Sequence, residues 1–257
     1  MLSGSEASHL AIRRSGCLRC FAAAQHDMAT MLFHSLLLTS LHRSRIIQYI
    51  YRSSFTNTDR IFMRKKRLQP LDPGLVIQAY AQGIFPMAEQ DGRIFWYAPD
   101  PRAILEHANL HISRSLHITI RRAVYEIRMD TAFETVMRCC GARAETWINE
   151  AFISAYTTLH AAGLAHSVEA WRDGKLVGGL YGVALGGAFM GESMFSRATD
   201  ASKVCLVALV EHLKAHGYAL HDTQFLTPHL ASLGVTEIPR REYERRLGEA
   251  LQLNCMW

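Results

Sequence analysis

The chain has 257 residues, of which 49% are hydrophobic and 20% are charged, a composition typical of a globular protein with a substantial core. Its net charge of +5 is concentrated at one end, because residues 1–68 hold eleven of the 28 Lys and Arg residues but three of the 23 Asp and Glu residues. The remaining residues are mildly acidic. The basic net charge of the whole chain is therefore no argument for nucleic-acid binding by this part.

Residues 1–68 are rich in Arg, Ser and His and show no sustained hydrophobic period. The apolar run at residues 31–41 is too short to cross a bilayer. Residues 1–68 have three possible interpretations: a secretory signal, a transit peptide, or a translation start that lies later in the chain, for instance at Met63. We favour the last. In each case we expect a disordered or poorly packed extension.

The six cysteines predict neither a disulfide framework nor a metal site. Cys17 and Cys20 have the spacing of zinc ligands, but no second Cys or His pair accompanies them. We therefore expect free thiols in a reducing cytoplasm and no bound metal. Cys205 lies in an apolar helical run and is expected in the core rather than as a nucleophile.

Capping signals begin at Asp72, an N-cap residue that is followed by a proline at the first helical position. Asp130 is predicted to cap a second helix, which Gly141 ends. Asn149 is predicted to cap a third helix, which Gly163 ends.

Three antiparallel strands are predicted next. Ala165–Arg172 and Lys175–Leu185 flank an Asp-Gly dipeptide, which is a strong hairpin signal, and Ala188–Phe195 follows a Gly-Gly turn. Asp200 is predicted to cap a long apolar helix, after which Tyr218–Asp222 forms a short strand. This order predicts an α+β fold around one mixed sheet.

Acyl-CoA N-acyltransferases use the same order of elements, and their pyrophosphate loop requires a glycine-rich start to the long helix. Here that start is residues 197–202, Arg-Ala-Thr-Asp-Ala-Ser, which contain no glycine and add an acid. An acyl-CoA donor is therefore not expected, although the fold suits the delivery of an acyl group to an amine.

Several blocks of sequence between residues 71 and 247 are distinctive in their order and spacing. They are Gly83–Pro86, Pro99–Arg102, His111–Ser115, Gly178–Val183, Gly191–Arg197, Ala201–Lys203, Asp222–Gln224, Ala231–Gly234 and Ile238–Arg240. Any single block is a weak signal, but the set resembles the leucyl/phenylalanyl-tRNA–protein transferases and is hard to assign to another family.

The resemblance implies a small N-terminal α/β domain at residues 69–112 and a larger acyltransferase-like (GNAT-like) domain at residues 113–257. It implies transfer of Leu or Phe, and less readily Met, from aminoacyl-tRNA to the α-amine of proteins with N-terminal Arg or Lys, which marks them for N-degron proteolysis. We expect a cytoplasmic monomer that needs no cofactor and binds no membrane.

Such a reaction needs no covalent nucleophile, because an aminoacyl ester is already activated and an α-amine, with a pKa of about 7.7–8.0, is partly neutral at pH 7. The protein then has three tasks, which are to position the substrates, to stabilise the oxyanion and to assist one proton transfer. Asp222 ends a short strand, and Gln224, two residues later, shares its face. The family match implies that both are catalytic and orient the α-amine; a capping aspartate is the alternative.

Glu192 lies in a glycine-rich apolar strand, where an unpaired charge is costly. We expect it to bind the cationic N-terminal Arg or Lys of the acceptor. The alternative is an internal salt bridge with Arg197 or Lys203.

The donor side chain requires an apolar pocket of medium to large size. Leu180, Phe189 and Met194 lie on the glycine-rich strands and are predicted to line it, since Leu and Met linings adapt to both Leu and Phe. The alternative is that they are plain core residues.

The tRNA end requires an aromatic platform for adenine and basic residues for phosphates. Trp147 lies in a Thr-Trp-Ile block that matches the family and is expected to stack on the adenine. Met87 stands where many relatives have a second Trp, so Trp96 or Tyr97 is the expected substitute. Three arginines are expected either to contact the tRNA backbone or to be solvated surface residues. They are Arg114, Arg121 and Arg122.

Two other functions stay open. An acetyl-CoA-dependent N-acetyltransferase is disfavoured by the glycine-poor start of the long helix. A catalytically inactive tRNA- or N-degron-binding module is disfavoured by the presence of Asp222, Gln224 and Glu192.

Overall fold

The computed structural model describes residues 70–89 and 91–257. The expectations for residues 1–68, including those for the apolar run at 31–41 and for Cys17 and Cys20, lie outside the described residues. None of the helices in the described part of the chain has the length and apolar character needed to cross a membrane.

The described residues form seven α-helices, one short 3-10 helix at His107–Asn109 and nine strands. The helices are α1 Pro73–Tyr80, α2 Arg114–Arg121, α3 Phe133–Gly141, α4 Glu150–Ala161, α5 Ala201–Ala215, α6 Pro228–Ser232 and α7 Arg240–Ala250. The strands are β1 Phe85–Ala88, β2 Ile94–Tyr97, β3 Arg102–Ile104, β4 Glu126–Met129, β5 Ala165–Arg172, β6 Lys175–Leu185, β7 Ala188–Ser196, β8 Leu220–Gln224 and β9 Thr236–Ile238.

Seven strands form one sheet in the order β4-β5-β6-β7-β8-β3-β9, and β1 pairs with β2 in a separate hairpin. In the large sheet β7 and β8 run parallel, and the other neighbours run antiparallel. Helix α5 makes the crossover that a parallel pair requires. The predicted α+β fold around one mixed sheet is confirmed.

The hairpin of β5 and β6 has the predicted bounds, and its turn residues explain why. Asp173 and Gly174 adopt positive φ angles of 51° and 71°, which an Asp-Gly dipeptide tolerates. Strand β7 extends one residue beyond the prediction, to Ser196. Strand β8 begins two residues later than predicted and includes Gln224.

Helix α5 packs against β5 and β6 and forms the centre of the core. It approaches β6 closely because Gly178 has no side chain: an added Cβ would lie 2.5 Å from the Cβ of Ala201. Cys205 is fully buried in this contact, and burial raises its pKa well above the ordinary value. Its prediction as a core residue is confirmed.

The predicted caps were right at two helices and wrong at two. Asp72 accepts from Gly74 N at 2.9 Å, and Asn149 accepts from Ala151 N at 2.9 Å. Asp200 occupies the N-cap position of α5 but makes no capping bond. Its carboxylate instead forms an ion pair with Lys203 at 3.1 Å.

Asp130 does not cap α3, whose N-cap residue is Ala132 and receives no capping bond from a side chain. Glu169 of strand β5 instead binds the backbone just before the helix, where it accepts hydrogen bonds from Thr131 N at 3.0 Å and from Ala132 N at 2.9 Å. Asp130 accepts from Ser167 N at 2.8 Å. The segment that leads into α3 is therefore held by a residue 37 or 38 positions away in the sequence.

We expect Glu169→Ala to lower the free energy of unfolding by about 3 kcal/mol, because fully buried Glu169 leaves several donors without an acceptor when it is removed. Urea unfolding followed by circular dichroism measures this loss. Glu134→Ala is the matched control in the first turn of the same helix, where an exposed ion pair contributes little. A loss no larger than in the control would show that the bonds from Glu169 to the backbone before α3 contribute little to stability.

Strand β3 lies inside the large sheet, between β8 and β9, although it falls within residues 69–112. The division into domains at residue 112 stays a prediction. The position of β3 brings Arg102 next to β8, where the candidate site lies.

Candidate active site

A pocket of about 320 Å³ opens where strands β7 and β8 separate. Their parallel pairing ends at Met190 and Asp222. Residues 191–194 of β7 and Thr223 and Gln224 of β8 line the pocket instead of pairing with each other. Further walls come from β1, β6, α5, α6, the loop before α4, the loop after β3 and the loops that flank α6. Its apolar lining includes Leu105, Leu180, Met194, Leu206, Leu209, Leu230 and Val235.

Asp222 is fully buried and bound on both carboxylate oxygens. Arg102 donates from Nε to Oδ1 at 2.8 Å and from Nη2 to Oδ2 at 2.6 Å, a bidentate ion pair. Tyr243 donates to Oδ2 at 2.9 Å, and the backbone N–H of Gln224 donates to Oδ1 at 2.9 Å. Arg102 is also fixed by Gly83 O at 3.0 Å. Asp222 therefore does not itself line the pocket.

Gln224 lines the pocket, and its side chain faces a different way from that of Asp222. Its φ of 60° is left-handed, so the alternation of a regular strand ends there. The Asp222 carboxylate holds its backbone N–H, while its side-chain Nε2 is buried and has no partner among the described residues. The structure brings the two predicted catalytic residues together through the backbone of Gln224, and not side chain to side chain.

Glu192 also lines the pocket, on strand β7. The Tyr80 hydroxyl donates to its Oε1 at 2.5 Å and lies 2.6 Å from the Tyr156 hydroxyl. Burial in the pocket wall raises the pKa of the Glu192 carboxyl to about 8, although the hydrogen bond from Tyr80 opposes this shift. In the described residues Glu192 forms no ion pair within 4.0 Å, so the alternative of a salt bridge with Arg197 or Lys203 is wrong.

Four polar groups of the pocket-lining residues are buried and have no hydrogen-bond partner within the described part of the chain. Buried groups of this kind are rare in folded proteins, and a bound ligand is one way to satisfy them. Burial lowers the pKa of His221 to about 3, so its imidazole is neutral throughout the physiological range. The four groups are Tyr181 Oη, His221 Nδ1, Thr223 Oγ1 and Gln224 Nε2.

The predicted donor-pocket residues divide into two groups. Leu180 and Met194 are opposite each other on β6 and β7 and both line the pocket. Phe189 is fully buried below it, stacked 5.5 Å from Trp257, and belongs to the core. Leu206 and Leu209 of α5 line the pocket and were missed, because a uniformly apolar helix gives no sign of which residue faces a cavity.

The predicted tRNA-binding residues lie at different distances from the pocket. Trp147 lines it, and so does Met87. Trp96 pairs with Pro86 in the hairpin but is not among the lining residues. Three exposed arginines lie on α2 and at its C-terminal end, outside the pocket. They are Arg114, Arg121 and Arg122.

A cluster of Asp130, His160 and His166 places one possible metal-ligand atom of each residue within 4.8 Å of the others. Hydrogen bonds account for this arrangement. His166 Nδ1 lies 2.8 Å from Asp130, and His160 Nδ1 lies 2.8 Å from Ala165 O. We therefore assign the cluster to the structural framework.

The chain is similar in sequence to one family of known proteins. The family model "Leucyl/phenylalanyl-tRNA protein transferase" matches residues 104–248, and the model of its N-terminal domain matches residues 69–100. Relatives named leucyl/phenylalanyl-tRNA–protein transferase include one from Herpetosiphon aurantiacus, 62% identical over 72% of this chain and 97% of its own length. Another, from Rubrobacter xylanophilus, is 57% identical over 72% of this chain and 97% of its own length.

Among solved structures, a GCN5-related N-acetyltransferase-like protein from Streptococcus suis aligns with a TM-score of 0.31 and 12% identity, over 64% of this chain and 63% of that chain. This similarity is too low to bear on function.

The fold is an α+β fold around one mixed sheet. Its pocket, in which an apolar lining stands beside the carboxylate of Glu192, defines an enzyme with a preformed site for an apolar group. The chain belongs to the leucyl/phenylalanyl-tRNA–protein transferase family.

Proposed function

We propose that this protein transfers Leu or Phe, and less readily Met, from aminoacyl-tRNA to the α-amine of proteins with N-terminal Arg or Lys, and so marks them for N-degron proteolysis. The observation that carries the proposal is the pocket itself, which joins an apolar lining to the carboxylate of Glu192. The apolar side chain of the donor needs the apolar lining, and the cationic N-terminal residue of the acceptor needs the carboxylate. The family match supports the same assignment.

The donor side chain enters the apolar part of the pocket and packs against the neighbouring side chains of Leu180 and Met194. The adenine of the tRNA end stacks on Trp147, which stands beside the same cavity. Met87 lines the same pocket, so we propose one aromatic platform for the adenine, with Met87 as an additional apolar contact.

The cationic acceptor side chain binds Glu192. Burial disfavours the ionised form of Glu192 and raises its pKa, and a guanidinium or ammonium group bound beside the carboxylate offsets that cost. Tyr80 supports the carboxylate through its hydroxyl.

In the reaction, the neutral α-amine attacks the ester carbonyl, the new C–N bond forms, and the bond to the ribose oxygen breaks. The amine loses a proton, and the departing ribose oxygen gains one. Gln224 lines the pocket, where its carboxamide oxygen can accept a hydrogen bond from the amine and orient it, while its unpartnered Nε2 can donate to the ester carbonyl oxygen. We propose that Asp222 acts through Gln224 as a positioning residue, because its own oxygens are already bound.

We further propose a small N-terminal domain followed by the catalytic domain, and a cytoplasmic monomer. The matched family models meet between residues 100 and 104, which supports a division near this point.

The test is transfer of labelled Leu from leucyl-tRNA to a peptide that begins with Arg, with a peptide that begins with Gly as the control. We expect transfer to the first peptide alone. Acetylation by acetyl-CoA without tRNA would support the N-acetyltransferase instead. Binding of both substrates with no product in a single-turnover assay would support the inactive binding module.

A further inference from the structure

The loop between α3 and α4 carries a cation to the edge of the pocket. Arg143 lines the pocket together with Trp147 from the same loop. Among the described residues that line the pocket, Arg143 is the sole Lys or Arg. Sequence analysis did not single it out, since an arginine in a polar loop is ordinary.

The guanidinium of Arg143 is held on two of its three nitrogens. Nε donates to Cys140 O at 2.8 Å, and Nη2 donates to Ser193 Oγ at 2.9 Å. Nη1 makes no hydrogen bond with the described residues, and no carboxylate of the described chain lies within 4.0 Å of the guanidinium. An arginine that is anchored but lacks a counter-ion is prepared to bind an anion without losing further side-chain freedom.

The anion is identified by what lies beside it. The donor carries its amino acid on the ribose of the terminal adenosine, and the nearest negative charge is the phosphate on the 5′ side of that ribose. An adenine on Trp147 and an aminoacyl group against Met194 leave this phosphate at the rim that Arg143 occupies. Resting on the proposed function, we infer that Arg143 binds the phosphate of the 3′-terminal nucleotide of the aminoacyl-tRNA.

The inference is tested with two donors that differ in one group. The first is adenosine esterified with Leu, which has no phosphate, and the second is the same ester with a 5′-phosphate. Arg143→Gln should raise the KM of the phosphorylated donor about tenfold or more and change that of the plain adenosine ester less than about twofold. With full leucyl-tRNA, the dependence of log KM on log salt should lose about one unit of slope.

Arg172→Gln is the matched control, because Arg172 is exposed and lies outside the pocket. Ser193→Ala removes one anchor of the guanidinium and should raise the KM of the phosphorylated donor by a smaller factor than Arg143→Gln does. Equal losses with both donors would show that Arg143 only supports the loop, and no loss with either would also overturn the inference. Failure of the wild-type protein to transfer from any donor would instead refute the proposed function.

Discussion

Asp222→Asn is expected to lower the rate of Leu transfer to an Arg-initiated peptide by about a hundredfold or more, with the affinity for charged tRNA changed by no more than a few-fold. The substitution removes the charge that Arg102 pairs with in a fully buried position. It also replaces one acceptor oxygen with a donor, which weakens the hold on the Gln224 backbone. Labelled-Leu transfer under single-turnover conditions measures the effect, and near-normal turnover would refute the assignment.

Loss of folding must be separated from loss of positioning, because an unpaired buried charge costs about 3–5 kcal/mol. Combining Arg102→Met with Asp222→Leu removes both charges and should recover much of the melting temperature but none of the activity. Tyr243→Phe is the milder control, since it keeps the ion pair and removes one hydrogen bond to Asp222. Recovery of activity in the double variant would show that Asp222 matters for stability alone.

Glu192→Gln is expected to raise the KM for Arg- and Lys-initiated peptides about tenfold or more, with a smaller change in kcat, because the acceptor cation loses its charged partner. For the wild-type protein this KM should fall as the pH rises towards 8, where the Glu192 carboxyl ionises. The glutamine variant should show a weaker trend, because only the α-amine of the peptide then titrates in this range. Peptide KM values measured between pH 6 and about 9 test both statements.

The pH dependence of protein stability gives an independent measure of the pKa of Glu192. The pKa of Glu192 in the folded protein is about 8, above its ordinary value of 4.5, so the folded protein retains a proton that the unfolded chain releases between these values. The wild-type protein therefore loses stability as the pH rises across this window. The melting temperature of Glu192→Gln, compared with the wild type, should improve over the same range. A difference that does not depend on pH would contradict the raised pKa.

The sequence predicted the central part of the fold because its signals are local. The Asp-Gly dipeptide specified the turn between β5 and β6, and Asn149 specified the start of α4 within three residues of itself. Strand β3 escaped prediction, because three residues that include a charged Arg102 carry no hydrophobic alternation. Its burial depends on a partner 120 residues later in the chain.

The sequence identified the residues of the site better than it predicted their arrangement. The family motif singled out Asp222, Gln224 and Glu192, and all three lie at or directly behind the pocket. The expectation that Asp222 and Gln224 share a face assumed a regular strand, whereas the left-handed backbone of Gln224 ends that regularity. The support that Tyr80 gives to Glu192 joins residues 112 positions apart, which no local pattern reveals.

The partners of Arg102 come from distant parts of the chain: Gly83 lies 19 residues earlier, Asp222 120 residues later and Tyr243 141 residues later. These bonds cannot all form until the hairpin region, the central sheet and the last helix have come together. Contacts of such long sequence separation generally form slowly. Catalytic competence should therefore be acquired late in folding, after most helical structure is present. A partly folded chain would then have no working active site with which to modify proteins.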